Sequence, residues 1–552
     1  MCRSKKGTRF SKAKCTRFIV VVKKYHKPPS NWGNALKADL VLLDGKIVTM
    51  NPLQPSAEAV AVKRDQILKV GSTEMISELI GKKTKKIHLK GKTVIPGIID
   101  THIHVADFGR ILSWLDLENV QSVEEAKQCL AQYAKKTAKG KWIIGRGWNQ
   151  ERFTEKRFLT RFDLDDVSAK NPVVLYHESG QVCVINSRAA ELAGMAKQQP
   201  TDVETDKNKF NGILRDESTN QVWNLIPQPT EDELVAQAAL ACEKIVEAGI
   251  TSIHWIVLSP MEVSVIQTLN RQNKLPLRVS VIVPASLLDK VSSSNLNSEM
   301  LKFKGAEVFA DGYLAAETAA LIEPYSDNPG EQGKLLCSKE EMAKTADKIL
   351  DRGLQLVVHA VGDKAVDLAL RIVEQVKAGK AEKASRYRVE QAAVLNQELI
   401  ERMKKNKVIV SIQPRVIASE FSVWSATKRL GATRASWLFP VKTLVEKGIQ
   451  VIAGSDCPME PLNPLLGIKE AVTREAFPEH RLSTEDALRM YTVYAAFSTF
   501  EENIKGTIQE SKLADLTVLS GDLLSASPNE ITQLNVEMTI IGGRIIYQKS
   551  PS

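Results

Sequence analysis

The 552-residue sequence predicts an α/β protein whose body is a closed (β/α)8 barrel, joined to a small β-sheet domain assembled from both termini. Three observations predict it. The apolar runs PVVLYH, ITSIHWI, PLRVSVIV, GAEVFADG, LQLVVHAVG, KVIVSIQP and QVIAGSD read as strands spaced through the middle of the chain. Between them lie stretches such as EDELVAQAALACEKIVEAG and KEEMAKTADKILDRG, with apolar residues at helical spacing and a terminal Gly. Finally, the two ends of the chain are rich in β-branched runs broken by Gly and Asp-Gly turns. Repeated βα units imply a parallel sheet with helices outside, and at least seven candidate strands favour a closed barrel over an open doubly wound sheet.

Taken in order, residues 1–37 form a basic tail. No acidic residue precedes Asp39, whereas 11 Lys and Arg residues do. Removing those 11 from the total of 75 leaves 64 basic residues against 65 acidic ones. The net charge of +10 therefore belongs to the tail, and the body carries no nucleic-acid signature. Its one apolar run, Phe18-Ile19-Val20-Val21-Val22, is shorter than the roughly 7–15 residues of a secretory core. The tail fits a disordered extension, an upstream translation start or an organelle transit peptide.

Residues 38–97 (ADLVLLDGKIVTM, AEAVAVKRDQILKVG, KKIHLKGKTVIP) and 505–552 (LADLTVLSG, VEMTIIGGRIIYQ) are the two parts of the sheet domain. The barrel occupies 98–504, interrupted by a long mixed insertion at about 113–227 near the barrel mouth. Composition is that of an ordinary globular protein, 43% hydrophobic and 25% charged. No stretch approaches the roughly 18 apolar residues of a membrane span, which excludes an integral membrane protein. Seven cysteines, an odd number without a Cys-x-x-Cys pair, fit a reducing compartment, so a cytoplasmic location is expected.

The strongest chemical signal is Asp100-Thr101-His102-Ile103-His104 after the apolar lead VIPGII. On a strand, side chains two apart share a face, so His102 and His104 would project together and grip one metal ion. Glu307 within GAEVFADG, His359 closing LQLVVHAVG and Asp456 closing QVIAGSD also sit at strand ends. In a parallel barrel those ends meet at one face. Three imidazoles with carboxylates form a ligand set suited to Zn²⁺, Mn²⁺ or Fe²⁺.

From about Ala38 to Tyr547 the chain resembles the metal-dependent amidohydrolase superfamily, specifically amidohydrolase family 3, or YtcJ-like hydrolases. The resemblance rests on VIPGIIDTHIH, GRGWNQ, INSRAAELAG, FADGYLAAETAALIEPYSD, VVHAVGDKAVD, GSDCPMEPLNPL and KLADLTVLSGD in that order. It implies a TIM-like (β/α)8 barrel with a small β-sandwich built from both termini. It also implies His102 and His104 as ligands of the more buried metal, His359 of a second, and Asp456 as metal contact and catalytic proton shuttle. Three positions depart from the family pattern: Glu307 replaces a Lys, Gln391 a His, and Gln181 another His. Gln391 offers only a carbonyl oxygen, a poorer ligand than imidazole. The expectation is one tightly bound divalent metal, zinc, with the second weak or absent.

The expected activity is metal-dependent hydrolysis of non-peptide carbon–nitrogen bonds in a small molecule, of the amide or N-substituted formamide class. A mononuclear aminohydrolase (a deaminase) and a binding protein impaired by Gln181 and Gln391 are the alternatives. The resemblance is compatible with a homodimer; no nucleic-acid or membrane partner is expected. Lesser candidates are Asp363, to orient the His359 imidazole or cap the next helix, and Trp148, to line a substrate pocket or fill a core. His177, His254, Asp311, Trp437 and Cys457 read first as structural residues.

Overall fold

A computed structural model describes residues 37–195, 203–206, 209–292, 296–379, 386–420 and 422–550. The basic tail, except Lys37, lies outside the described residues. Eight strands form one sheet: β1 (Ile98–Ile103), β2 (Ile250–Ile256), β3 (Arg278–Pro284), β4 (Leu301–Phe309), β5 (Gln355–Ala360), β6 (Arg388–Gln391), β7 (Ile409–Ile412) and β8 (Val451–Ala453). Each pairs in parallel with the next. The ring closes beyond β8, where the Asp456 N–H donates to the His102 carbonyl at 2.8 Å and the Ser455 N–H to Asp100 Oδ1 at 3.0 Å. Gly454 permits this approach, since a Cβ there would lie 2.4 Å from the His102 nitrogen. Helices such as Pro260–Arg271, Lys339–Asp351, Asp363–Gly379 and Pro464–Thr473 cover the outside. This is the TIM-like barrel the sequence predicts.

Two strands depart from the sequence reading. PVVLYH forms a strand, Val173–His177, but in the insertion and not in the barrel. Its place in the ring is taken in part by Arg388–Gln391, whose charged residues mask a strand that is buried along its whole length.

The two ends of the chain build the sandwich. One sheet orders Gln66–Gly71, Ala59–Lys63, Leu40–Leu43 and Lys85–His88. In the other, Thr93–Pro96 lies between Lys46–Val48 and Leu516–Leu519, which continues into Val536–Ile541 and Arg544–Gln548. Leu42, Val60 and Ile67 meet Val94, Leu516, Val518 and Ile540 in a shared core. Segments more than 400 residues apart thus complete one apolar interior.

Between β1 and β2 the chain forms a six-stranded mixed sheet, ordered Val203–Asp206, Lys209–Arg215, Val182–Ile185, Val173–His177, Ile143–Trp148 and Leu115–Asp116. Alternation along its strands supplies two cores. One contains Leu130, Ile143, Trp148, Phe153 and Leu175; the other Val174, Cys183, Ile185, Leu214 and Val222. Among the described residues no helix is long and apolar enough to cross a membrane.

Barrel and sandwich are joined by a buried ion pair. Arg278, at the start of β3, donates through Nε to Asp515 Oδ2 at 2.7 Å and through its terminal nitrogen to Oδ1 at 3.1 Å. The same carboxylate accepts the Gly542 N–H, and the Asp515 carbonyl accepts the Gly97 N–H. Removing one partner strands the other charge, at a cost of about 3–5 kcal/mol. Asp515→Ala is expected to lower the first thermal unfolding transition by several degrees, read by calorimetry; an unchanged transition would show the pair to be dispensable.

Candidate metal centre

The site begins with the alternation of β1. Asp100 and His102 face the barrel interior, and Asp100 accepts the backbone N–H groups of His102 at 3.1 Å and Ser455 at 3.0 Å. Burial raises the Asp100 pKa to about 6 against these hydrogen bonds. His104 lies just past the strand, at the N-cap of helix Val105–Leu112, where its N–H donates to the Cys457 carbonyl at 3.0 Å. From the opposite side of the closure Asp456, at φ +61°, directs Oδ1 to 3.6 Å from His102 Nε2 and 3.4 Å from His104 Nε2. One ligand atom from each of these three residues lies within 4.8 Å of the others.

Two residues of β6 set the His102 ring. Glu390 Oε2 lies 2.9 Å from His102 Nδ1, and its other oxygen accepts from Arg388 Nε. Arg388 is completely buried, and its remaining nitrogens reach His254 Nδ1 at 2.8 Å, the Thr101 carbonyl at 2.6 Å and Ser411 Oγ at 3.2 Å. Burial opposes charge on Glu390, yet Arg388 and His102 hold its carboxyl well below the usual range. With Nδ1–H donated to Glu390, His102 presents the lone pair of Nε2 toward Asp456 and His104, the tautomer a metal ligand needs. Burial also disfavours a charged His102, but Glu390, Asp456 and Glu307 outweigh it and raise its pKa to about 9. Three carboxylates thus draw positive charge to this point.

Glu307 and His359 line the same cavity, of about 450 Å³, together with Gln391, Phe309, Tyr313, Phe439 and Met459. Both Glu307 oxygens are buried without a hydrogen-bond partner among the described residues, as is His104 Nδ1. Burial pushes the Glu307 pKa up to about 7. An orphaned carboxylate beside two imidazoles and a second acid fits a divalent cation, which supplies what these atoms lack. His359 stands apart from the three-residue cluster. Its Nε2 lies 3.3 Å from the Gly312 carbonyl, its ring rests beside Phe309 and Tyr313, and burial lowers its pKa to about 4.

The other expected site residues lie elsewhere. Asp363 accepts the N–H groups of Ile322 and Lys364 at the head of helix Asp363–Gly379, and these backbone bonds engage it in place of His359. Trp148 is completely buried in the insertion, donating to the Leu175 carbonyl and packing on Phe153, Phe158 and His177. Gln181 is exposed in the turn between Val173–His177 and Val182–Ile185 and does not line the cavity. Cys457 is buried, and burial pushes its thiol pKa well up, which favours the protonated thiol. Asp311 accepts the N–H groups of Val361, Gly362 and Ala320, fixing the turn after β5. Asp100, Arg388 and the role of Glu390 escaped the sequence reading. Their signal was charge placed two residues apart in otherwise apolar strands.

The chain matches the profile described as "Amidohydrolase family" over residues 85–547. It belongs to the amidohydrolase family. It is 32% identical over 530 residues to the "Putative amidohydrolase YtcJ" of Bacillus subtilis (strain 168), covering 92% of this chain and 99% of that protein. It is 23% identical over 544 residues to the "N-substituted formamide deformylase" of Arthrobacter pascens, covering 93% and 99%. Among solved structures, an uncharacterised metal-dependent hydrolase from Pyrococcus furiosus superposes with a TM-score of 0.72 at 30% identity, covering 88% of this chain and all of that one. This amidohydrolase is therefore a hydrolase, and its His-His-Asp cluster together with its family points to a divalent metal.

Cation and protons compete for the same atoms. His102, with its pKa raised to about 9, and Glu307, at about 7, are protonated below those values and must release those protons to a metal. Metal affinity of the apoprotein is expected to rise with pH, by about tenfold per unit for each proton released, between pH 6 and 8. Chelator-competition titrations would read this; a flat profile would place the cation on other donors.

Proposed function

We propose that this amidohydrolase cleaves non-peptide carbon–nitrogen bonds of a small molecule, of the amide or N-substituted formamide class. The observation that carries the reading is the meeting of His102, His104 and Asp456 at the carboxyl ends of the barrel strands. There, two neutral imidazoles and an acid can share one cation while the acid keeps a second oxygen for proton transfer. Similarity to a protein named for deformylating N-substituted formamides supports the bond class.

Two nitrogen ligands with carboxylates suit zinc. A bound divalent ion polarises a carbonyl and lowers the pKa of water from about 15.7 to about 7. The remaining work falls to the chain. Asp456, beside both imidazoles, orients the attacking water and accepts its proton, then donates that proton to the departing nitrogen. Glu390 holds His102 in one tautomer throughout. Phe309, Tyr313, Leu314, Phe439 and Met459 wall the cavity with apolar surface that limits bulk water. The products are a carboxylate (formate, for a formamide) and an amine.

Gln391 replaces the β6 imidazole of the family pattern, so we read one tightly held ion, with His359 and Glu307 too few to retain a second. Gln391→His is expected to raise bound metal from about one toward about two equivalents, measured by plasma emission after gel filtration in metal-free buffer; unchanged stoichiometry would show that His359 and Glu307 cannot complete a second site.

Asp456→Asn should retain metal and fold while lowering kcat by about 10²–10⁴-fold on an N-substituted formamide. Parallel assays of formate and ammonia identify the bond broken. Wild-type kcat in the variant would remove Asp456 from the proton-transfer role, and ammonia without formate would make the enzyme an aminohydrolase.

A further inference from the structure

We propose that Arg146 and Tyr176, in the insertion, form a carboxylate-binding fork that selects substrates in which the scissile bond is linked to a flat apolar group bearing a carboxylate. The word substrate rests on the hydrolytic reading above; the fork rests on separate geometry.

Strands Ile143–Trp148 and Val173–His177 run parallel, with Arg146 directly opposite Tyr176. Residues so paired project from the same face of the sheet. Arg146 Nε and Tyr176 Oη are both buried, and neither has a hydrogen-bond partner among the described residues. A guanidinium nitrogen can only donate. Burial pushes the Tyr176 pKa well above its ordinary value, so its hydroxyl keeps its proton and is a donor as well. Two buried donors on register-paired residues lack an acceptor, and a carboxylate offers two oxygens at once.

The neighbouring acids do not supply it. Asp116, opposite Arg146 on its other side, turns Oδ1 to the Glu118 N–H at 2.9 Å. Glu178 is held by Arg152 at 2.6 Å and by Asn149. Glu118 is the remaining acid along this wall, and it is exposed.

The fork opens on a cavity of about 520 Å³ walled by Trp114, Tyr176 and Trp223. Trp114 lies nearly parallel to Tyr176 with ring centroids 6.4 Å apart, and Trp223 meets both edge-on at 5.9 and 6.2 Å. Such walls receive a flat ring. The cavity is separate from the one that holds His102, His104 and Asp456, sharing no lining residue with it, but it is tied to that side of the barrel through Trp114, two residues past the helix that His104 caps.

Calorimetric titration of the metal-loaded full-length protein with 3-phenylpropanoate and with 3-phenylpropan-1-ol tests the fork without turnover. The carboxylate is expected to bind about 10- to 100-fold more tightly than the alcohol, the range of charge-assisted hydrogen bonds. Arg146→Gln should abolish that preference and Tyr176→Phe should reduce it, with metal content unchanged in both. Equal affinity for the two probes in the wild type, or a preference that survives Arg146→Gln, overturns the proposal; the latter would assign the carboxylate to the metal. Hydrolysis of formamides without this preference removes the fork alone. The preference without any amide hydrolysis keeps the fork as a binding site and removes the hydrolytic reading.

Discussion

The structure depends on a buried charge that must be neutralised inside a closed ring. Arg388 projects from β6 into the barrel with no access to solvent, and an unpaired guanidinium there would be prohibitively costly. Glu390, two residues on, answers it, and the guanidinium also reaches His254, Ser411 and the Thr101 carbonyl. Glu390 then has one oxygen left, and that oxygen turns the His102 imidazole. Metal-facing geometry at the mouth is therefore inherited from charge balance in the interior. Four strands, β1, β2, β6 and β7, contribute to this arrangement, so the barrel must be closed for it to exist.

A division of labour follows from the topology. The barrel supplies fixed ligands at strand ends, where backbone hydrogen bonds from both neighbours limit drift. Asp456 is held by its own N–H on the His102 carbonyl, which couples the last strand directly to the first. The sandwich adds no side chain to the cavity, but it clamps the barrel floor through Arg278 and Asp515. The insertion has its own sheet and its own apolar cores, distinct from that of the barrel. Its outward face is thus free to vary in chemistry without disturbing the ligands.

Much of this was legible in the residues. Near-continuous apolar runs mark β2, β3 and β5, which are buried on both faces, and the paired histidines after VIPGII locate the centre. What was not legible has physical causes. Arg388-Val389-Glu390 alternates charge with an apolar residue, the pattern of a half-exposed strand, because interior charge compensation looks like surface polarity in one dimension. Asp363 follows the His359 strand closely enough to suggest a partner for that ring, but a residue opening a helix finds backbone N–H groups nearer at hand. Trp148 follows Gly145 and Gly147 in a motif that suits a pocket wall or a core, and the bulge there turns its indole into the insertion core. The helix-head role of Asp363 and the core place of Trp148 are among the readings the sequence offers, whereas the buried pair of Arg388 and Glu390 is fixed only by strand register.

The candidate ligands His102 and His104 lie early in the described residues and Asp456 late in them, and the second sheet of the sandwich likewise waits for Leu516–Leu519 to join Thr93–Pro96. During synthesis on the ribosome, the first strand of the ring must remain without its closing neighbour while more than 350 residues emerge behind it. The insertion, contiguous and locally cored, can fold in that interval, whereas cation capture comes only when translation is nearly finished. A truncated or stalled nascent chain would thus carry the imidazoles without the acid that completes their grip.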